Sequence, residues 1–171
     1  MSPSLKYMPI AEPEFSTTLA TLPPCAYSAL LVDLQATVEN YARLSRLAKG
    51  AECAAVLKAD GYGLGAVPIA LRLYEKGCRS FFVAYMDEGV QLRQAFIQNS
   101  IDADIFVLNG LLPGLETTFS DYNLIPTLTD IDQVRRWQSH CKFMERKLAA
   151  ALHIDTGMAR TGVPGKDLQL I

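Results

Sequence analysis

From Tyr27 onward, short β-branched or apolar runs alternate with longer segments whose apolar positions recur every three or four residues. That alternation predicts βαβ units and a parallel sheet. Ser28 to Asp33 predicts a lead-in strand. A helix follows over about Leu34 to Lys49, where Val38, Tyr41, Ala42, Leu44 and Leu47 share a face and Gly50 ends it. A regular series then begins. Cys53 to Lys58 reads as its first strand, with a helix near Ala66 to Lys76 closed by Gly77. Ser80 to Ala84 precedes a helix at Met86 to Phe96, and Asp104 to Leu108 precedes a short helix after Pro113. Asn123 to Leu128 leads into an amphipathic helix from Asp130 to Met144, N-capped by Thr129 or Asp130, and Ala149 to Asp155 is the fifth strand.

Strand starts roughly twenty residues apart suit consecutive βα units wound in one sense. Runs such as Phe81-Phe82-Val83-Ala84 and Ile105-Phe106-Val107-Leu108 predict strands buried on both faces. The fold class is therefore α/β, with a partial (β/α)8 barrel of about five strands as the expected architecture. A doubly wound sheet remains open on pattern alone. The 171 residues fall short of the roughly 250 typical of a whole barrel. On the last long helix, Val134, Trp137 and Phe143 fall at helical spacing, which predicts core packing. His140 is placed at the surface.

Composition adds mostly exclusions. With 50% hydrophobic and 20% charged residues the chain is ordinary globular protein. Its formal charge of −2, with acids and bases interspersed, offers no basic stripe for nucleic acid and no basic amphipathic helix for a membrane surface. Cys25, Cys53, Cys78 and Cys141 form no CxxC pair, and with two histidines there is no expected metal site; free thiols in a cytoplasmic protein fit best. Residues 1–26 read as a leader and 27–171 as one domain. Glu12, Glu14 and the Pro23-Pro24 pair interrupt any signal-peptide run.

The chemistry concentrates in one apolar strand that ends in a lysine and opens into glycines: Ala54-Ala55-Val56-Leu57-Lys58-Ala59-Asp60-Gly61-Tyr62-Gly63-Leu64-Gly65. An ammonium moved out of water gives up its proton more readily, and a free amine attacks an aldehyde, which is how lysines become covalent anchors. Strand C-termini are also where α/β barrels keep their chemistry. The plainer alternative is a strand-end lysine that reaches solvent. Gly61, Gly63 and Gly65 permit close backbone approach, with Tyr62 offering a hydroxyl among them, yet neither GxGxxG nor GxxxxGK[ST] is present. A flexible turn accounts for them equally well.

Val56 to Gly65 closely resembles the pyridoxal-phosphate (PLP) attachment signature of alanine racemases. Ser28 to Asn40 resembles that family's N-terminal strand and helix, and Phe82 to Leu92 its second barrel strand and acidic helix start. His153-Ile154-Asp155-Thr156-Gly157-Met158-Ala159-Arg160-Thr161-Gly162 resembles its DTGM-x-R-x-G segment. The resemblance covers about Tyr27 to Pro164. It implies Lys58 as PLP anchor and one of two catalytic bases, Tyr62 as a contact to the cofactor phosphate, and Arg160 near the substrate carboxylate. It further implies a homodimer that interconverts L- and D-alanine, supplying D-alanine for peptidoglycan. The second base, a partner-subunit tyrosine, and most phosphate ligands would lie in a C-terminal part absent from these residues, so this chain is expected to be inactive alone.

The sequence departs from the family pattern at four places. Leu64 stands where many members have histidine, and His153 where many have a carbamylated lysine. Ala159 replaces Asn or Gly, and Thr161 replaces Leu. A serine or broad-specificity racemase, and a non-catalytic PLP- or partner-binding module, remain alternatives.

Overall fold

The structure, a computed structural model, describes Cys25 and residues 27–171. Apart from Cys25, the expected leader lies outside the described residues. Two units are distinguished, 1–33 and 34–171. In the first, residues 28–33 carry no regular secondary structure, so the expected lead-in strand does not form. Leu30 and Leu31 are exposed. An apolar run becomes a strand only when a neighbouring strand supplies its ladder, and none does so among the described residues.

The second unit alternates as the pattern predicts. Helix α1 (Leu34–Leu47) precedes β1 (Ala55–Val56), a short turn α2 (Lys58–Tyr62) and α3 (Ala66–Glu75). Then come β2 (Ser80–Val83), α4 (Met86–Gln98), β3 (Asp104–Val107), α5 (Glu116–Asp121), β4 (Ile125–Leu128) and α6 (Ile131–Phe143). Asp130 caps α6 by accepting the Gln133 amide. The predicted fifth strand divides into β5 (Ala151–Leu152) and β6 (Ile154–Asp155), the latter paired with an unanticipated β7 (Val163–Pro164). His153 sits at the division: its amide donates to Leu128 on one side, and its carbonyl accepts from Val163 on the other.

The main sheet runs β1-β2-β3-β4-β5 with every pair parallel. Sequential neighbours in a parallel sheet joined by helices are the barrel-type winding, not the doubly wound one, whose strand order reverses at a switch point. Side chains alternate across the strands. Ala55, Leu57, Phe81, Val83, Ile105 and Val107 are buried on one face. There Phe81 meets Phe96 of α4 edge to face, with centroids 5.2 Å apart.

The opposite face is less covered. Val56 is 45% exposed, while Phe82 and Phe106 are half-buried and stack on each other at 4.6 Å. Burial on both faces therefore holds for β4 but not for β1 to β3. Equally apolar sequence cannot reveal this, because exposure depends on what else reaches that face.

Two expectations for α6 are corrected. His140 is buried, its Nε2 3.1 Å from Ser120 Oγ, and Phe143 is 83% exposed. At about 100° per residue, Val134 and His140 fall some 60° either side of buried Trp137, whereas Phe143 lies about 120° away. Spacing from the stripe's centre, not apolar character, decides which of them the core takes.

Candidate active site

Lys58 follows the last ladder bond of β1, in which the Leu57 amide donates to the Phe82 carbonyl at 2.7 Å. The backbone leaves the extended conformation at Leu57 (φ −118°, ψ 16°), so Lys58 opens the turn that follows the strand. Its side chain is half-buried, and Nζ stands 5.9 Å from the centroid of the Tyr62 ring. The two sequence-predicted cofactor residues are thus brought together by the turn that joins them.

That turn is unusual in its backbone. Ala59, Asp60, Gly61, Tyr62 and Gly63 all have positive φ, between 52° and 82°. Gly61 donates to Leu57 and Gly63 to Ala59, so the segment is one turn of left-handed helix. L-residues pay roughly 1–2 kcal/mol each for this conformation, and it persists only where surrounding contacts enforce it. Asp60 Oδ1 accepts the Ala66 amide at 2.8 Å, joining the turn to α3.

Glu88 supplies the second tie. One carboxylate oxygen accepts the Ala59 amide at 2.6 Å, and the other accepts the amides of Ala84 at 2.8 Å and Tyr85 at 3.0 Å. In the sequence this position reads only as part of an acidic helix start. The available signal was an acid at the third position of α4, which reaches back to the helix's own N-cap amide; the contact across 29 positions to Ala59 has no local signature.

Arg160 lies elsewhere in the topology, exposed in the loop between β6 and β7. That loop leaves the sheet beside β5, the edge strand opposite β1. Four strand spacings separate those edges, some 19 Å along a flat sheet and less if it curls. The loop is internally organised. Asp155 Oδ1 accepts the amides of Gly157 and Ala159 at 2.9 and 3.1 Å, and these bonds hold its carboxyl below the usual range.

A Cβ at Gly162 (φ +112°) would stand 2.7 Å from the Asp155 amide, so glycine is required there. His153 Nδ1 and Thr161 Oγ1 are 3.4 Å apart across the loop's base. Ala159 has φ +54°. Glycine and asparagine enter that region most cheaply, which explains physically why the motif prefers them where this chain has alanine.

A surface hollow between α5 and α6, lined by Gly114, Glu116, Arg136, His140 and Phe143 among others, includes none of the predicted site residues. Among the described residues, no three metal-ligating side chains cluster, and no helix is long and apolar enough to cross a membrane.

A parallel sheet of barrel-type winding, alternating with helices and carrying a half-buried lysine just past its first strand, has the architecture of part of an α/β barrel. Comparison with known proteins makes this specific. A family model described as alanine racemase, N-terminal domain, matches residues 32–171, and the chain belongs to that family.

The catabolic alanine racemase of Agrobacterium fabrum is 43% identical over 142 residues, covering 83% of this chain and 36% of that protein. Its counterpart in Rhizobium johnstonii is 42% identical over 151 residues, covering 88% and 39%. The alanine racemase of Bartonella henselae, solved with covalently bound pyridoxal phosphate, superposes with a TM-score of 0.76 at 37% identity, covering 81% of this chain and 40% of that one. The chain thus spans about two fifths or less of the length of these relatives.

Proposed function

We propose that this chain provides the lysine-bearing part of a PLP-dependent alanine racemase acting on L- and D-alanine. The observation that carries the reading is the placement of Lys58: half-buried, just past a strand C-terminus, at the head of a strained glycine-rich turn whose Tyr62 ring lies 5.9 Å from Nζ. The donor chemistry fits PLP. A primary amine matches its aldehyde, a phenol at Tyr62 can donate to a phosphate, and exposed turn backbone permits close approach. When bound, PLP supplies an electron sink for negative charge at the substrate Cα.

In this reading Lys58 Nζ is both the point of covalent attachment and the base that takes or returns the Cα proton on one face. Tyr62 orients the cofactor through its hydroxyl. Arg160 receives the substrate carboxylate through paired, charge-assisted hydrogen bonds, which requires that its loop and Lys58 face a common space. Proton transfer on the opposite face, and most phosphate contacts, fall to residues outside this chain, in a cytoplasmic homodimer. A racemase works in both directions, so D-alanine is supplied to peptidoglycan or drained by catabolism according to which enantiomer is consumed. The catabolic names of two relatives support keeping both roles.

The test is chemical trapping. Incubation with PLP followed by borohydride should leave a phosphopyridoxyl group on Lys58, found by peptide mass spectrometry, and Lys58→Ala should abolish it. Labelling spread evenly over surface lysines, or none, would overturn the reading. Alone, the 171 residues are expected to capture PLP yet racemise alanine poorly.

A further inference from the structure

The lysine turn is held in a costly backbone conformation by few bonds, and the one that reaches it from β2 and α4 comes from a single carboxylate. Glu88 is the third residue of α4, and its contact to the Tyr85 amide is half of an ordinary capping box. Capping alone leaves the other oxygen unexplained. That oxygen crosses to the Ala59 amide at 2.6 Å.

The Ala59 N–H belongs to the peptide unit that joins Lys58 to Ala59. Fixing it fixes the plane of that unit, and so the ψ of Lys58, at the position where the chain turns left-handed. Three amides from two loops converge on two oxygens, an arrangement that only an acceptor-only group satisfies.

We propose that Glu88 is a positioning residue for Lys58: its carboxylate clamps the left-handed turn to the end of β2 and thereby sets where Nζ stands. This rests on the reading of Lys58 as the cofactor lysine. Glutamine at this position would present an NH2 group to at least one of the three N–H donors. Aspartate keeps the charge at the start of α4 but draws the carboxylate back by one methylene, out of reach of Ala59.

The experiment compares the wild-type chain with Glu88→Gln and Glu88→Asp, with PLP itself as the probe. The rate of borohydride-trapped labelling at Lys58 is measured relative to that at exposed Lys76 and Lys166, at a temperature where circular dichroism shows each variant folded. With each variant folded, the three lysines report on the same molecules, so differences in protein amount or reagent do not move the ratio. Misplacement of a reacting group by about an ångström costs severalfold to a hundredfold, so the Lys58 ratio should fall roughly tenfold or more in both variants. The absorbance band of bound PLP should also shift its pH midpoint.

Should Glu88→Gln fail to fold, Glu88→Asp, with its charge kept, decides. A folded variant that labels Lys58 at the wild-type ratio would overturn the clamp. If the wild-type chain itself gives no Lys58 adduct, the proposed function falls instead. The clamp is then judged by amide exchange at Ala59 without cofactor, slow in wild type and fast in Glu88→Asp if it exists, unchanged if it does not.

Discussion

Asp155 shows how a single side chain organises a loop. Its carboxylate bonds to the amides of Gly157 and Ala159 favour the ionised form, and its pKa is lowered from the ordinary value. With the folded pKa below the unfolded one, the order this residue gives the 156–162 loop is present above the usual carboxylate range. It is lost as pH falls through Asp155's own lower value. The Gly157 and Ala159 amide resonances should therefore titrate with a midpoint below the ordinary aspartate value, and Asp155→Asn should remove that titration. A midpoint at or above that ordinary value would contradict the arrangement. The sequence announced Asp155 through its motif, and a turn in which it satisfies nearby amides was one reading of it. What it did not announce was Ala159 at positive φ, because alanine is not a left-handed signal.

The element whose behaviour departs most from local preference is the turn α2. Its glycines hinted at a flexible or ligand-approaching loop, but three of its five left-handed residues are Ala59, Asp60 and Tyr62. Nothing local predicts left-handed helix for them; the Glu88 and Asp60 bonds and the short distance to α3 impose it. Gly61 and Gly63 separate the two demands. At Gly61 a Cβ would meet the Ala66 backbone nitrogen at 3.2 Å, while at Gly63 it would meet nothing within 4 Å. Each Gly→Ala change should cost about 1–2 kcal/mol for the left-handed backbone, and Gly61→Ala should cost more than Gly63→Ala because of the backbone contact. Urea unfolding measures the difference, and equal costs would show that the turn relaxes away from α3.

Across the whole unit, the two faces of the sheet are stabilised differently, and adjacent residues report it. Ile105 is fully buried toward the helices, while its neighbour Phe106 is half-buried against Phe82 on the other face. Ile105→Ala should cost some 2–5 kcal/mol. Phe106→Ala, although it removes a larger side chain, should cost less, since its environment already admits water; denaturant midpoints of the two variants decide.

By itself the sequence determined the order and kind of nearly every element from α1 to β5, because burial of one helix face and alternation along strands leave periodic marks. It determined the family because the family's marks reside in contiguous motifs. Tertiary structure decided the rest. It left residues 28–33 without a ladder, divided the fifth strand at His153, and buried His140 while exposing Phe143. It also brought Glu88 to Ala59. The missing ladder, the divided strand and the Glu88 contact each depend on what approaches from a distant part of the chain, and a hydrogen bond between residues 29 positions apart leaves no period for a sequence to show.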